Sequence, residues 1–112
     1  MAYDEHLAER IRELVAAEPG LTERKMFGGL AFMINGHLAV SASGRGGLLL
    51  QVESDETDAL LAKPHAHAFE MRGREMQGWV RVEAEGVKTK RQLERWVARG
   101  VDHARSLPPK RK

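Results

Sequence analysis

Two histidines separated by one residue are the side chains best suited to metal chemistry in this sequence. His65 and His67 share one face of a predicted strand, because side chains alternate along a strand. With His37 or Glu70 they would offer the imidazole and carboxylate ligands that transition metals prefer. The alternative is an exposed pair at the rim of the sheet. We favour the exposed pair, because two histidines without an evident third ligand do not define a site, and we predict no metal and no cofactor.

Serines and carboxylates that could take part in catalysis are present, but they follow no catalytic pattern. The chain has no cysteine, and Ser41 and Ser43 lie outside any G-x-S-x-G motif. Glu70, Glu75 and Glu83 could pair as acid and base. Carboxylates in hairpins are usually solvated, however, and no nucleophile, base and orienting group stand out together. We therefore predict that the protein is not an enzyme.

Basic residues near the C-terminus offer the best candidate contact with nucleic acid. Three of them recur every four residues and so line one face of a predicted helix, two more lie in the terminal tail, and together they would meet phosphates. They are Arg91, Arg95, Arg99, Lys110 and Arg111. The alternative is a plain solvated helix face. We favour this alternative, because Asp102 interrupts the stripe and the dipole of a helix attracts basic residues to its end in any case.

Tryptophans and methionines could also form a binding surface. Trp79 and Trp96 could stack on a base, but Trp96 falls in the apolar stripe of the last helix and is assigned to the core. The role of Trp79 stays open, because Arg81 shares its strand face. The methionines could line an adaptable groove or, as we favour, fill the core between sheet and helices. They are Met26, Met33, Met71 and Met76.

Composition predicts one soluble globular domain over residues 1–112, with a frayed tail at 110–112. The chain is 42% hydrophobic and 30% charged, as in a folded soluble protein rather than a disordered one. Its net charge is only +2, but basic residues dominate from Lys88 onward. The sequence shows no cysteine, no signal-peptide pattern and no apolar run of transmembrane length. We therefore expect a cytoplasmic protein without a membrane partner.

A β-hairpin around Asn35 and Gly36 organises the predicted fold. Asn-Gly favours a two-residue type I′ turn, in which both central residues have positive φ. The flanking strands, near 27–34 and 37–42, are apolar on both faces, which is typical of a strand covered from both sides. The turn sets the predicted pairs Ile34–His37, Met33–Leu38, Phe32–Ala39, Ala31–Val40 and Leu30–Ser41. Because three helices are too few to cover both faces of the sheet, we predict a homodimer through the sheet. The alternative is a monomer in which Met33, Leu38 and their neighbours lie under the first helix.

Three helices follow from apolar periodicity and capping signals. Residues 3–17 form the first. Ser54 caps a short second helix that ends before Pro64. Thr89 and Gln92 have the spacing of a capping box and open the last helix, which runs to about residue 107.

Five strands complete the predicted order α-β-β-β-α-β-β-α. Residues 21–25 are a short link into the hairpin, and further strands span 48–52, 65–71 and 76–83. The pair Gly28–Gly29 at the entrance of the hairpin predicts a bulge or a close approach of two backbones. Tight hairpins make the sheet antiparallel, with helices on one side. The predicted fold is therefore an α+β two-layer sandwich with a five-stranded antiparallel sheet.

One short motif carries a family resemblance. A basic residue, a methionine, an aromatic residue and two glycines precede a strand, a turn ending in glycine and a second strand. These residues are Lys25, Met26, Phe27, Gly28, Gly29 and Gly36. The pattern resembles the N-terminal domain of the TfoX/Sxy family of bacterial competence regulators, over roughly residues 8–107. The resemblance implies an α-β(3)-α-β(2)-α fold, similar to type III secretion chaperones and often dimeric, without catalytic residues.

The resemblance also implies a biological setting. The best-known members of this family promote transcription of DNA-uptake genes together with the cyclic-AMP receptor protein, and they carry a second, helical C-terminal domain. The 112 residues leave no room for that domain, so we expect a standalone N-terminal domain. We predict a non-catalytic regulatory or protein-interaction domain that forms a homodimer and binds a transcription-associated protein. The alternative is a nucleic-acid-binding module that uses the basic last helix.

Overall fold

The first helix lies where apolar periodicity predicts it. The computed structural model describes residues 3–26, 28–44, 46–71 and 73–108. Helix α1 (Glu5–Val15) is two residues shorter at each end than predicted. Its N-cap is Asp4, whose carboxylate accepts hydrogen bonds from the backbone N–H groups of His6 and Leu7 at 2.9 and 3.1 Å. These bonds satisfy two of the amides that a helix start leaves without partners.

The sheet is antiparallel, as predicted, but it has six strands instead of five in the described residues. The strands run in the spatial order β1-β2-β3-β4-β6-β5. They are β1 (Leu21–Met26), β2 (Gly29–Ile34), β3 (His37–Ala42), β4 (Leu48–Gln51), β5 (Ala66–Met71) and β6 (Arg74–Val82). The predicted link at 21–25 is therefore wrong, because this segment pairs with β2 along its whole length. Its middle residues are exposed, as suits an edge strand.

The central hairpin has the predicted turn but a different register beyond it. Asn35 and Gly36 have φ of 54° and 86°, which confirms the positive values expected of the turn. The pairs Ile34–His37 and Met33–Leu38 are also confirmed. The remaining predicted pairs, Phe32–Ala39, Ala31–Val40 and Leu30–Ser41, are wrong, because a β-bulge after Leu38 shifts β3 by one residue. The observed pairs are Phe32–Val40, Ala31–Ser41 and Leu30–Ala42.

The two later helices differ in how they begin. Helix α2 (Thr57–Leu61) follows a 3-10 turn at Ser54–Glu56, and no side chain of a described residue caps either element, so the predicted Ser54 cap is wrong. Thr57 anchors this region instead, donating to the Glu53 carbonyl at 3.3 Å and accepting from the Gly78 amide at 2.9 Å. Helix α3 (Lys90–Ser106) begins with the predicted capping box of Thr89 and Gln92, whose two bonds are 3.0 and 3.1 Å long.

The three helices pack on one face of the sheet, which confirms an α+β arrangement with helices on one side. Phe32 and Ile34 of β2 and Ile11 of α1 are fully buried in this core. Helix α3 contributes the predicted apolar stripe, which consists of Leu93, Trp96, Val97, Val101 and Ala104. The other side of the sheet, which we call the open face, has an apolar cluster to which, among the described residues, strands alone contribute.

Candidate functional site

The open face carries a second, smaller apolar cluster. Ala31, Met33 and Leu38 are buried there, with 0%, 8% and 5% of their surfaces exposed. Met26 and Trp79 are half-buried and pack against these three residues. The hairpin is thus apolar on both faces as predicted, but these three residues are already buried within the single chain. Accessible apolar surface on this face is concentrated in the half-buried side chains at its margins.

Strand alternation places the aromatic residues of the open face. The register of β6 sets Val80 opposite Leu50 of the core, so that Trp79 points to the other side of the sheet, as predicted. Trp79 packs against Phe69 of β5 with ring centroids 5.6 Å apart and a tilt of 33°. Arg81 lies opposite His67 across the β5–β6 pair. The open face is therefore an aromatic and aliphatic patch with the guanidinium of Arg81 and the imidazole of His67 toward its β5–β6 edge.

The histidine pair meets a carboxylate that sequence reasoning did not assign to it. Glu83 Oε2 lies 3.0 Å from Nε2 of His67 and 3.6 Å from Nδ1 of His65. The hydrogen bond from His67 is the main reason that the pKa of Glu83 is lowered, with a smaller contribution from His65. The residues considered as a third metal ligand lie elsewhere. His37 donates to the Pro108 carbonyl at 2.6 Å, and Glu70 lies opposite Glu75 on β6.

The cluster of His65, His67 and Glu83 is a half-exposed polar contact between two strand ends. Within the ranges that the structure describes, no group of three or more His, Cys, Asp or Glu side chains is arranged to hold a metal ion. All three side chains of the cluster are between 41% and 50% exposed. The contact joins the start of β5 to the end of β6.

The candidate catalytic groups do not converge. The Ser41 hydroxyl is buried and donates to the backbone carbonyl of Leu30 at 3.1 Å. Glu70 and Glu75 are exposed and lie directly opposite each other on β5 and β6, whereas Glu83 lies beyond the other end of β6 beside the histidines. An acid–base pair needs two groups that flank a common substrate position, and these carboxylates do not form one.

The basic residues of α3 occupy the helix surface as the spacing predicts. Arg91, Arg95 and Arg99 are exposed. The guanidinium of Arg99 lies over the ring of Trp96, 5.7 Å from the ring centroid, in a cation–π contact. The other two residues of the predicted nucleic-acid contact, Lys110 and Arg111, lie outside the described residues. Within the described part, three arginines therefore form the basic face of α3.

A cleft beside this helix collects further positive groups, and sequence reasoning missed it. The cleft has a volume of about 200 Å³ and lies between α3 and the segment that joins α2 to β5. Its lining includes Lys63, His65, Gly86, Arg95, Trp96 and Arg99. None of the described residues that line it is acidic. No periodicity links residues 63 and 65 to α3, so the sequence holds no local signal for this site.

An adjacent cleft of about 280 Å³ has the opposite character. Its lining includes Glu53, Glu56 and Asp102, and Arg99 borders both clefts. His103 is only 10% exposed there, with its Nδ1 3.4 Å from Glu53 Oε1. The surface of α3 is thus divided into a basic and an acidic side, which limits how far a continuous basic strip extends along it.

The glycines of the family motif serve the geometry of the sheet. A Cβ atom on Gly29 would lie 3.1 Å from the Gly44 amide nitrogen and 3.2 Å from the Ala42 carbonyl carbon, which confirms the predicted close approach of two backbones. Gly28 has φ of 76°, a value that favours glycine. Lys25 and Met26 end β1, and Phe27 lies outside the described residues. The motif therefore shapes the connection between β1 and β2.

Comparison with known proteins yields one family. The sequence profile of the TfoX N-terminal domain matches residues 13–104, which is most of the chain and includes all the motif residues from Lys25 to Gly36. Neither a curated protein nor a solved structure shows significant similarity to the chain. In addition, no helix within the described residues is both long and apolar enough to cross a membrane.

Proposed function

The chain belongs to the TfoX N-terminal domain family, and from this premise we propose that it is a non-catalytic, cytoplasmic regulatory domain that works through protein contacts. Its first partner is a second copy of the same chain, bound through the open face of the sheet. Its second partner is a transcription-associated protein, in a role like that of the competence regulators. The observation that carries this proposal is that all three described helices pack on one face and leave the other to strands.

The open face has the composition of a small protein interface. Met26, Phe69 and Trp79 are half-buried in the single chain and surround or adjoin a buried cluster. Aromatic residues and methionine are enriched in interface centres. A two-fold axis would bring the same patch of both chains together, which is the commonest form of self-association.

The dimer can be tested by light scattering over a concentration series. We expect a mass of twice 12.5 kDa at micromolar concentrations. Met26→Glu places a charge on the proposed interface and should return the mass to that of the monomer. Lys25→Gln changes the charge by the same amount at an exposed position on the opposite side of β1, and should leave the dimer intact. A stable mass near 12.5 kDa for the unaltered protein would exclude the dimer.

The proposed transcription-associated partner follows from the family. Its regulators act with the cyclic-AMP receptor protein, so that protein from the same organism is the first candidate to test. Titration of the purified pair by calorimetry, with the open-face variant Met26→Glu and the control Lys25→Gln, would show whether binding occurs and whether it uses the same face. Absence of binding at micromolar concentrations would exclude this partner. The proposed self-association is tested separately, by light scattering.

A nucleic-acid-binding module is the second candidate, and the exposed arginines of α3 favour it. Arg91, Arg95 and Arg99 are spaced one turn apart, as phosphate contacts along a helix would be. The test is a salt titration of binding to a DNA duplex, since neutralised phosphates release counterions and make affinity fall steeply with salt. No binding at low salt would exclude this candidate.

A further inference from the structure

We infer that the basic cleft between α3 and the α2–β5 segment is a binding site for the phosphate group of a small phosphorylated ligand. Lys63, Arg95 and Arg99 supply three basic side chains, and the imidazole of His65 also lines the cleft. This inference is independent of the open face, because the cleft lies on the helix-covered side of the molecule.

Lys63, Arg95 and Arg99 form no ion pair within the described protein, whereas His65 lies 3.6 Å from Glu83 Oε2. No carboxylate among the described residues lies within 4.0 Å of the Lys63 ammonium or of the Arg95 or Arg99 guanidinium. Elsewhere, one arginine of α1 and one at the end of α3 pair with acids: Arg12 with Glu23, and Arg105 with Glu18. A cleft lined by cations without carboxylate partners attracts an anionic ligand.

The backbone around His65 is held in an unfavourable conformation that brings this residue to the cleft. His65 has φ of 68°, a left-handed value that costs a non-glycine residue free energy. Its carbonyl accepts a hydrogen bond from the Glu83 amide at 2.9 Å. Gly86 allows the close approach, since a Cβ atom there would lie 2.7 Å from the Cβ of His65. Strain of this kind is concentrated at functional sites, where the surrounding structure maintains it.

A contact with Trp96 fixes the orientation of Arg99 at the cleft. Its guanidinium lies over the Trp96 ring, with 5.7 Å between Cζ and the ring centroid, and Trp96 itself lines the cleft. Stacking restrains the long side chain while its N–H groups remain able to donate, and a planar guanidinium matches phosphate oxygens in a bidentate manner. Less side-chain entropy is then lost when the ligand binds.

The shape of the cleft favours a compact ligand over a nucleic-acid backbone. Its volume of about 200 Å³ suits one phosphate group with a small organic portion, and its basic side chains come from two chain segments, the α2–β5 connection and α3. Arg91 lies outside the lining, although it belongs to the same helix stripe. Binding of a duplex would need a continuous basic strip that includes Arg91. Binding of a small ligand in the cleft would not involve Arg91.

The test is an NMR titration of the ¹⁵N-labelled full chain with inorganic phosphate and with pyrophosphate at constant ionic strength. We expect saturable shifts of the amides of His65 and Gly86 and of the Trp96 indole N–H. Lys63→Gln and Arg99→Gln should each weaken binding about tenfold, because each removes a charge-assisted hydrogen bond. Arg91→Gln is the matched control and should leave the affinity unchanged.

Two results would overturn the inference. One is the absence of saturation at millimolar phosphate and pyrophosphate. The other is an equal loss of affinity in Arg91→Gln and Lys63→Gln, which would indicate diffuse surface charge. A parallel titration with a short DNA duplex separates the second candidate function, since it should depend on Arg91. If Arg99→Gln perturbs the fold by removing the contact with Trp96, Lys63→Gln still decides the question, because Lys63 is exposed and lies in a connecting segment.

Discussion

Gly100 of α3 lies so close to Ala39 of β3 that no side chain fits between helix and strand. A Cβ atom at position 100 would lie 2.7 Å from Cγ1 of Val40 and 2.9 Å from the carbonyl carbon of Ala39. Ala39 is the residue that the β-bulge leaves without a partner on β2. The helix therefore rests directly on the bulge, and a glycine that weakens the helix locally allows the helix to pack closely on the sheet.

Gly100→Ala should reveal which of two opposed effects dominates. Alanine at a helix interior gains about 1 kcal/mol over glycine from propensity alone. Overpacking against backbone costs about 1–3 kcal/mol, and the short distances from position 100 to Ala39 and Val40 leave the backbone little room to relax. We expect net destabilisation in urea unfolding. Ala98→Gly, at an exposed position of the same helix, should lower the free energy of unfolding only by the difference in helix propensity. Greater stability of Gly100→Ala would mean that α3 is not in close contact with the bulge.

Gly36→Val should destabilise the protein by about 1 kcal/mol or more, because a β-branched residue resists a positive φ. The observed φ of Gly36 is 86°. The measurement is the free energy of unfolding in urea. Asn35→Gly is the control, since glycine accepts the φ of 54° at the preceding position without strain. An unchanged melting temperature in Gly36→Val would argue against the type I′ turn.

Trp96→Ala should cost about 3–5 kcal/mol of stability, as expected for a large core side chain. Only 7% of Trp96 is exposed, and it packs in the main core. Trp79→Ala is a useful comparison, because Trp79 is half-buried on the open face and should cost less. If Trp96→Ala had nearly the same free energy of unfolding as the unaltered protein, the apolar stripe of α3 would not pack on the sheet.

Glu83→Gln should remove a pH-dependent part of the stability. Because the folded-state pKa of Glu83 lies below its ordinary value of 4.5, chiefly through the hydrogen bond from His67, the folded protein binds fewer protons here than the unfolded chain. The contribution is present above about pH 4.5 and is lost as the pH falls through the lowered pKa. The difference in melting temperature between the two proteins should therefore be larger at about pH 5.5 than at about pH 3.

Glu85→Gln provides the control for this pH dependence. Glu85 is exposed on the 3-10 turn at Ala84–Val87 and forms no ion pair with another described residue. Its substitution should have little effect on melting at either pH. A difference for Glu83→Gln that stays constant or grows toward acid would contradict the role assigned to the contact with His67.

The sequence by itself determined the features whose physical cause lies within a few residues. The Asn35–Gly36 turn, the capping box of Thr89 and Gln92 and the apolar stripe through Trp96 all appear where local chemistry predicts them. Each depends on φ preferences, on a side chain reaching a neighbouring amide, or on the helical period. The family motif could likewise be read from adjacent residues, and the match over 13–104 confirms the family.

Only the tertiary structure decided the features that join distant segments. Strand β1 is polar at its exposed middle positions, so its sequence shows no apolar alternation that would predict a strand. It is a strand because it pairs with β2. The bulge at Ala39 shifts the register, and α3 packs against it through Gly100. Glu83 joins the histidine pair, and Lys63 meets Arg99 at one cleft, only because the sheet and α3 bring these residues together. Contacts between distant segments depend on packing geometry, which local sequence patterns do not encode.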